Sequence, residues 1–189
     1  PPAEDLGAVR ADLGDCRRCK LCEGRRQIVF GVGDPEADLM VIGEGPGEQE
    51  DLRGEPFVGP AGEMLDRMLE NVLGLGRSKV YIANVVKCRP PGNRNPDLDE
   101  VAACLPFLER QILAVQPKLI LILGGVALQH VLKINGITRN RGKELAWRTI
   151  PTIPTFHPAY LLRQPGDKKL TFEDLKLARR RYDELGGRR

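Results

Sequence analysis

The sequence predicts an α/β fold, a three-layer α/β/α sandwich around a four-stranded parallel sheet. Four short apolar runs recur along the chain: "LMVIG" (39–43), "VYIANVV" (80–86), "KLILILG" (118–124) and "IPTIPTF" (150–156). The first three are rich in Val, Ile and Leu without alternation, as strands buried on both faces are. Helical patterns separate the runs, and alternating strands and helices favour a parallel sheet.

The elements follow in chain order. "AGEMLDRMLENVLGL" (61–75) repeats apolar residues at helical spacing and stops at "GLG". "NPDLDEVAACLPFLERQILAV" (95–115) opens with Asn95 as a cap, Pro96 at the first helical position and acids in the first turn. Pro106 is expected to kink or split it. "GGVALQHVLK" (124–133) is a shorter helix, and "LTFEDLKLARRRYDEL" (170–185) a final amphipathic one. The fourth strand carries Pro151 and Pro154 and so reads as an edge. Residues 1–36 precede the first clear strand.

At 189 residues the chain suits a single domain, 1–189, with a real core. No apolar run approaches the roughly 20 residues of a membrane span, so no membrane partner is expected. The opening "PPAEDLGAVRADLGD" has no signal-peptide pattern, and a cytoplasmic location is expected. Net charge is +3, which permits a polyanionic partner without requiring one. "ARRRYDELGGRR" forms a basic cluster, and "EGPGEQED" a local acidic one.

"CRRCKLC" places Cys16, Cys19 and Cys22 at two successive CxxC spacings, with Cys88 and Cys104 far downstream. Such spacing suits thiolates on one metal or cluster, and zinc and iron–sulfur sites both use it. A disulfide framework does not suit five cysteines in a cytoplasmic chain. Cys104, on an apolar helix, has a core reading beside the ligand reading. Either metal would anchor residues 1–36 to the exit of the second strand and to the next helix.

In open parallel sheets, ligands bind beyond the carboxyl ends of the strands. The first strand exits into "GEGPGEQED", where Gly43, Gly45 and Gly47 let the backbone approach a flat ligand. No GxxxxGK[ST] or GxGxxG pattern is present, so nucleotide-cofactor folds lose ground. The second strand carries Asn84, whose amide both donates and accepts, as reading a base edge requires. The fourth exits into His157, one of only two histidines. His130, mid-helix, reads as structural.

Together these residues resemble the uracil-DNA glycosylase superfamily, and within it family 4, the iron–sulfur enzymes of thermophilic bacteria and archaea. "CRRCKLC", "GEGPGEQED", "GEPFVGPAGEMLD", "NVVKCRPP", "LILGGVAL" and "HPAYLLR" occur in family order, from Cys16 to about Arg163. The resemblance implies a glycosylase-like fold, a prokaryotic, nucleoid-associated enzyme and a 4Fe–4S cluster on Cys16, Cys19, Cys88 and Cys104, with Cys22 spare. It implies action on uracil-containing DNA, single- or double-stranded, and a monomer is expected. The enzyme would flip uracil out of the stack, hydrolyse its N-glycosidic bond and leave an abasic site. Phe57 would stack on the base, and Asn84 would pair with its O4 and N3–H. His157, helped by backbone N–H groups of the 43–47 turn, would stabilise charge developing at O2. Leu161 would enter the gap left by the base.

Two departures bear on the chemistry. Where many superfamily members have an Asp that activates water, this chain has Gly45, leaving Glu44 or Glu50 for that task. Where the best-known branch excludes thymine with a Tyr, it has Gly47, leaving Glu50 to crowd the C5 methyl. A DNA-cross-linking branch uses a histidine in the loop after the second strand, but here that loop reads "CRPPGNRNPD". A cluster-bearing DNA-binding module without turnover would have no use for Phe57, Asn84 and His157 together. A small electron carrier would not need the large α/β body.

Overall fold

The computed structural model describes residues 4–189. Four strands lie where the apolar runs place them: β2 (Leu39–Gly43), β3 (Tyr81–Asn84), β4 (Leu119–Leu123) and β6 (Ile150–Thr155). These four pair in parallel. Two further strands, β1 (Val32–Gly33) and β5 (Leu145–Trp147), add antiparallel edges on β3 and β6. The sheet is therefore mixed and six-stranded, in the order β1-β3-β2-β4-β6-β5, not four-stranded and parallel throughout. The proline-bearing β6 is consequently interior, and the three-residue β5 is the edge beyond it.

Both faces of the sheet are apolar because successive side chains point to opposite sides. Leu39, Val41, Leu119, Leu121 and Leu123 enter one core, with α3 (Pro60–Met68) and α8 (Lys168–Glu184). Met40, Ile42, Ile120 and Ile122 enter the other, with α4 (Leu98–Val115) and α5 (Gly125–Leu132). The expected sandwich of helices around a sheet thus holds. Past Met68 the chain continues through a π-helical turn, Leu69–Leu73, which ends at Gly74 in the left-handed conformation.

Two details of α4 depart from the sequence reading. Its cap is Asp97, not Asn95, and the Glu100 carboxylate accepts from the Asp97 N–H at 2.7 Å, closing a capping box. Pro106 neither splits nor ends the helix. It sits on the exposed side, one turn after the exposed Ala102, so the carbonyl deprived of a donor faces water.

Residues before β1 form α1 (Leu6–Leu13), capped by the Asp5 carboxylate, and lie against α4. Val9, Leu13, Phe30 and Phe107 make a small separate core there. Arg18 and Arg110 lie over the Phe107 ring at 4.7 and 5.2 Å. The segment is thus attached by packing. Replacing Phe107 with Ala should destabilise the fold by about 3–5 kcal/mol. Denaturant unfolding checks this, and protease cleavage should begin within the first 30 or so residues.

Candidate active site

The segments that follow β2, β3 and β6 line one cleft of about 400 Å³, whose walls do not include the buried Asn84 and Phe57. Its walls include Glu44, Pro90, Asn93, Arg94, His157 and Arg163. The β2 exit turn runs beside the β3 exit, with the Val85 and Val86 N–H groups donating to the carbonyls of Gly43 and Glu44. A Cβ on Gly43 would lie 2.6 Å from both Asn84 Oδ1 and the Phe57 ring, so only glycine lets these three groups meet.

Asn84 is buried at the end of β3. Its Oδ1 is a buried side-chain acceptor without a partner. An unpaired buried oxygen costs about 1–3 kcal/mol, so a ligand donor is the natural explanation for its retention.

Phe57 adopts φ 55°, a left-handed conformation uncommon for a non-glycine residue. Several contacts hold it there. Arg77 donates to the carbonyls of Pro56 and Phe57 at 2.8 and 3.0 Å. The Glu50 carboxylate accepts from the N–H groups of Val58 and Gly59, both at 3.0 Å. Gly62 admits the Phe57 backbone, since a Cβ there would lie 1.9 Å from its carbonyl oxygen.

The second oxygen of Glu50 accepts from the Gly47 N–H at 2.9 Å, capping α2 (Glu48–Arg53). Three backbone donors therefore occupy this carboxylate, which makes Glu50 a positioning residue and leaves Glu44 as the carboxylate open to the cleft. Glu44 is half-buried, and burial raises its pKa above the ordinary carboxylate range. Of the expected amide donors in the 43–47 turn, that of Gly47 is occupied by Glu50, and Pro46 has none.

His157 begins α7 (Pro158–Arg163) and is its cap: Nδ1 accepts from the Ala159 N–H at 3.0 Å. A neutral ring with an accepting Nδ1 carries its proton on Nε2. Burial, reinforced by the charge of Arg163 and opposed by Glu50, lowers the His157 pKa to about 4. The ring stacks on Phe57, with centroids 5.5 Å apart and planes at 29°. Two van der Waals gaps need about 7 Å, so no base lies between these rings as they stand. Gly124, at φ 92°, permits the close approach of the His157 Cβ.

Leu161 is not where a wedge would be. It is 1% exposed and belongs to the core beneath α7, while the neighbouring Leu162 is 42% exposed. Adjacent helical positions point about 100° apart, so one residue decides which leucine faces out. Nor does the C-terminal basic cluster approach the cleft. Arg179 and Arg181 pair with Asp183 and Glu144, and Arg188 binds Asp38 just before β2, at the opposite end of the sheet.

All five cysteines line a second, small cavity of about 20 Å³ between the N-terminal segment, the β3 exit and α4. Among the described residues, no three His, Cys, Asp or Glu groups converge as a single ion requires. Arg18 donates to Cys16 Sγ at 3.4 Å and Arg25 to Cys88 Sγ at 3.5 Å. Burial raises the Cys88 thiol pKa to about 11. Sequence reasoning missed Arg25 and Arg77, because nothing local marks an arginine as internal.

Comparison with known proteins accords with this arrangement. Residues 30–178 match the family model described as the uracil DNA glycosylase superfamily. The chain is a member of that superfamily. It is 43% identical to the type-4 uracil-DNA glycosylase of Sulfurisphaera tokodaii over 93% of this chain and 84% of that protein. It is also 43% identical to that of Thermotoga maritima, over 93% and 94%. A type-5 uracil-DNA glycosylase of Pyrobaculum aerophilum is 32% identical over 79% and 72%. The chain therefore stands with the type-4 members of the family. Among the described residues, no helix is long and apolar enough to cross a membrane.

The His157 ring should stay neutral, with its proton on Nε2, between about pH 5 and 8. Imidazole ¹⁵N shifts test this directly. Below the ordinary value of 6.5 the unfolded chain takes up a proton that the folded ring refuses. Stability from this group is therefore full above about 6.5 and is lost as pH falls towards 4. The difference in melting temperature between wild type and His157→Gln should shrink over that window.

Proposed function

We infer that this chain excises uracil from DNA, hydrolysing the N-glycosidic bond to release the base and leave an abasic site. The observation that carries the reading is the orphaned Asn84 Oδ1 beside Phe57 and His157 at the strand ends. Uracil offers an N3–H to that oxygen and an O4 to the amide nitrogen. Cytosine reverses both polarities and would leave the buried oxygen facing an acceptor. Phe57 supplies a stacking face for the everted base.

Bond cleavage places negative charge on uracil O2 and positive charge on the sugar. In this reading the His157 Nε2–H donates to O2 as a neutral group, already oriented by the Nδ1 bond. With its pKa lowered to about 4, the ring is neutral and acts as a hydrogen-bond donor, not as a cationic acid. Glu44, whose carboxylate has no protein hydrogen bond among the described residues, orients water or stabilises the sugar cation. Glu50 holds the Phe57 loop, and its position beside Gly47 also suits crowding of a C5 methyl. Leu162, not Leu161, is the exposed apolar group placed to fill the gap in the stack. DNA, single- or double-stranded, is the partner, met in the cytoplasm and nucleoid by a monomeric, single-domain enzyme.

The cysteine cavity suits a 4Fe–4S cluster better than zinc. Its potential ligands are five thiols with no histidine or carboxylate among them, and guanidinium groups donate to two of them. Cys16, Cys19, Cys88 and Cys104 would hold the cluster, which when bound would cross-link the N-terminal segment to the β3 exit and α4. Cys22 lines the same space as the spare thiol. Purified protein should be brown, absorb near about 400 nm and carry about four irons per chain. Stoichiometric zinc without iron would overturn the assignment.

A uracil-containing oligonucleotide incubated with the protein and treated with alkali should show strand breaks at uracil. His157→Ala should lower the single-turnover rate by roughly 10²–10³-fold, and Asn84→Ala should lower it and narrow the preference for uracil over cytosine. Leu162→Ala should impair excision from duplex more than from single strands, whereas Leu161→Ala should chiefly lower stability. Intact DNA after wild-type treatment over a range of temperature and salt would refute the reading.

A further inference from the structure

Between the cysteine cavity and the cleft lies Lys87, a buried cation that neither site reading uses. Its side chain is 1% exposed, although lysine is almost never fully buried unless paired. Its ammonium donates to the Asn84 carbonyl at 2.7 Å and to Gln111 Oε1 at 2.5 Å. Gln111 is itself buried and held by the Phe30 carbonyl at 2.8 Å. Both acceptors of the ammonium are neutral, and among the described residues no carboxylate pairs with it. Arg18 and Arg25, the other cations at the cavity, each meet an aspartate, Asp12 and Asp15.

A buried charge without a counter-charge is costly, typically several kcal/mol. The side open to Lys87 is the cavity it lines with the five cysteines. Four thiolates around a 4Fe–4S core carry net negative charge, which is what this ammonium lacks. We propose that Lys87 is a positioning residue whose charge balances the anionic cluster on one side while its bond to the Asn84 carbonyl fixes the base-reading strand end on the other. The cluster would then be joined electrostatically to the residue that selects uracil, through one side chain. This inference rests on the cluster reading above.

The test uses iron-loaded protein and the cluster's reduction potential, measured anaerobically with mediators. Lys87→Met removes the charge and keeps the length. The potential should move to a more negative value, since loss of a nearby cation favours the oxidised cluster. Uracil excision should fall by roughly 10–100-fold, the usual cost of losing a group that supports a metal ligand. Gln111→Leu keeps the ammonium and should leave the potential unmoved. Should Lys87→Met not retain iron, Gln111→Glu retains the lysine but sets a carboxylate against it, and the potential should again move negative.

An unshifted potential in iron-loaded Lys87→Met, or in Gln111→Glu where the first does not load, overturns the proposal. A negative shift with wild-type excision keeps the charge balance and overturns the link to Asn84. Wild-type protein without iron would instead overturn the cluster reading itself.

Discussion

A buried side-chain oxygen without a partner among the described residues is the constraint around which this site is organised. Asn84 Oδ1 is buried, and no group among the described residues donates to it. Phe57 and the β2 exit close over it, and Gly43 is the residue that permits the approach. Phe57 in turn is held in an unfavourable backbone conformation by hydrogen bonds from Arg77 and to Glu50. Strain at one residue and an orphan at another are costs that a folded chain bears where binding requires prepared geometry.

The two carboxylates near the β2 exit show how context separates chemically equal groups. Glu50 is surrounded by backbone donors, so it shapes the loop. Glu44, six residues earlier, is half-buried without such donors, and its burial raises its proton affinity. The histidine follows the same rule in the opposite direction. Burial disfavours its cation, and one backbone N–H selects its tautomer. None of these roles depends on residue type alone.

This difference explains what the sequence made legible. The four central strands were visible because burial on both faces demands unbroken apolar runs, and the long helices because their spacing is periodic. The edges β1 and β5 were not, since two or three residues hold no pattern, and β6 was misread as an edge for want of β5. That Asn84 and His157 each lie near Phe57 accords with the strand-end rule of parallel sheets and with the family motifs. The roles of Glu50 and Leu161 did not follow, because each depends on tertiary contacts: three amides in one case, the side of a helix turned to the core in the other. Lys87 left one trace, a cation set inside the apolar stretch "NVVKC".

The stacked rings of Phe57 and His157 have a mechanical corollary. One ring belongs to a loop clamped by several hydrogen bonds, whereas the other, at the start of a six-residue helix, makes a single imidazole hydrogen bond. If space for a nucleobase opens on the histidine side, the yielding part is that helix. The same helix carries Leu162 at its outer surface, so clearing the slot and advancing the leucine become one displacement. If the chain excises uracil as proposed, seating of the base and its expulsion from the duplex would then be coupled through one element.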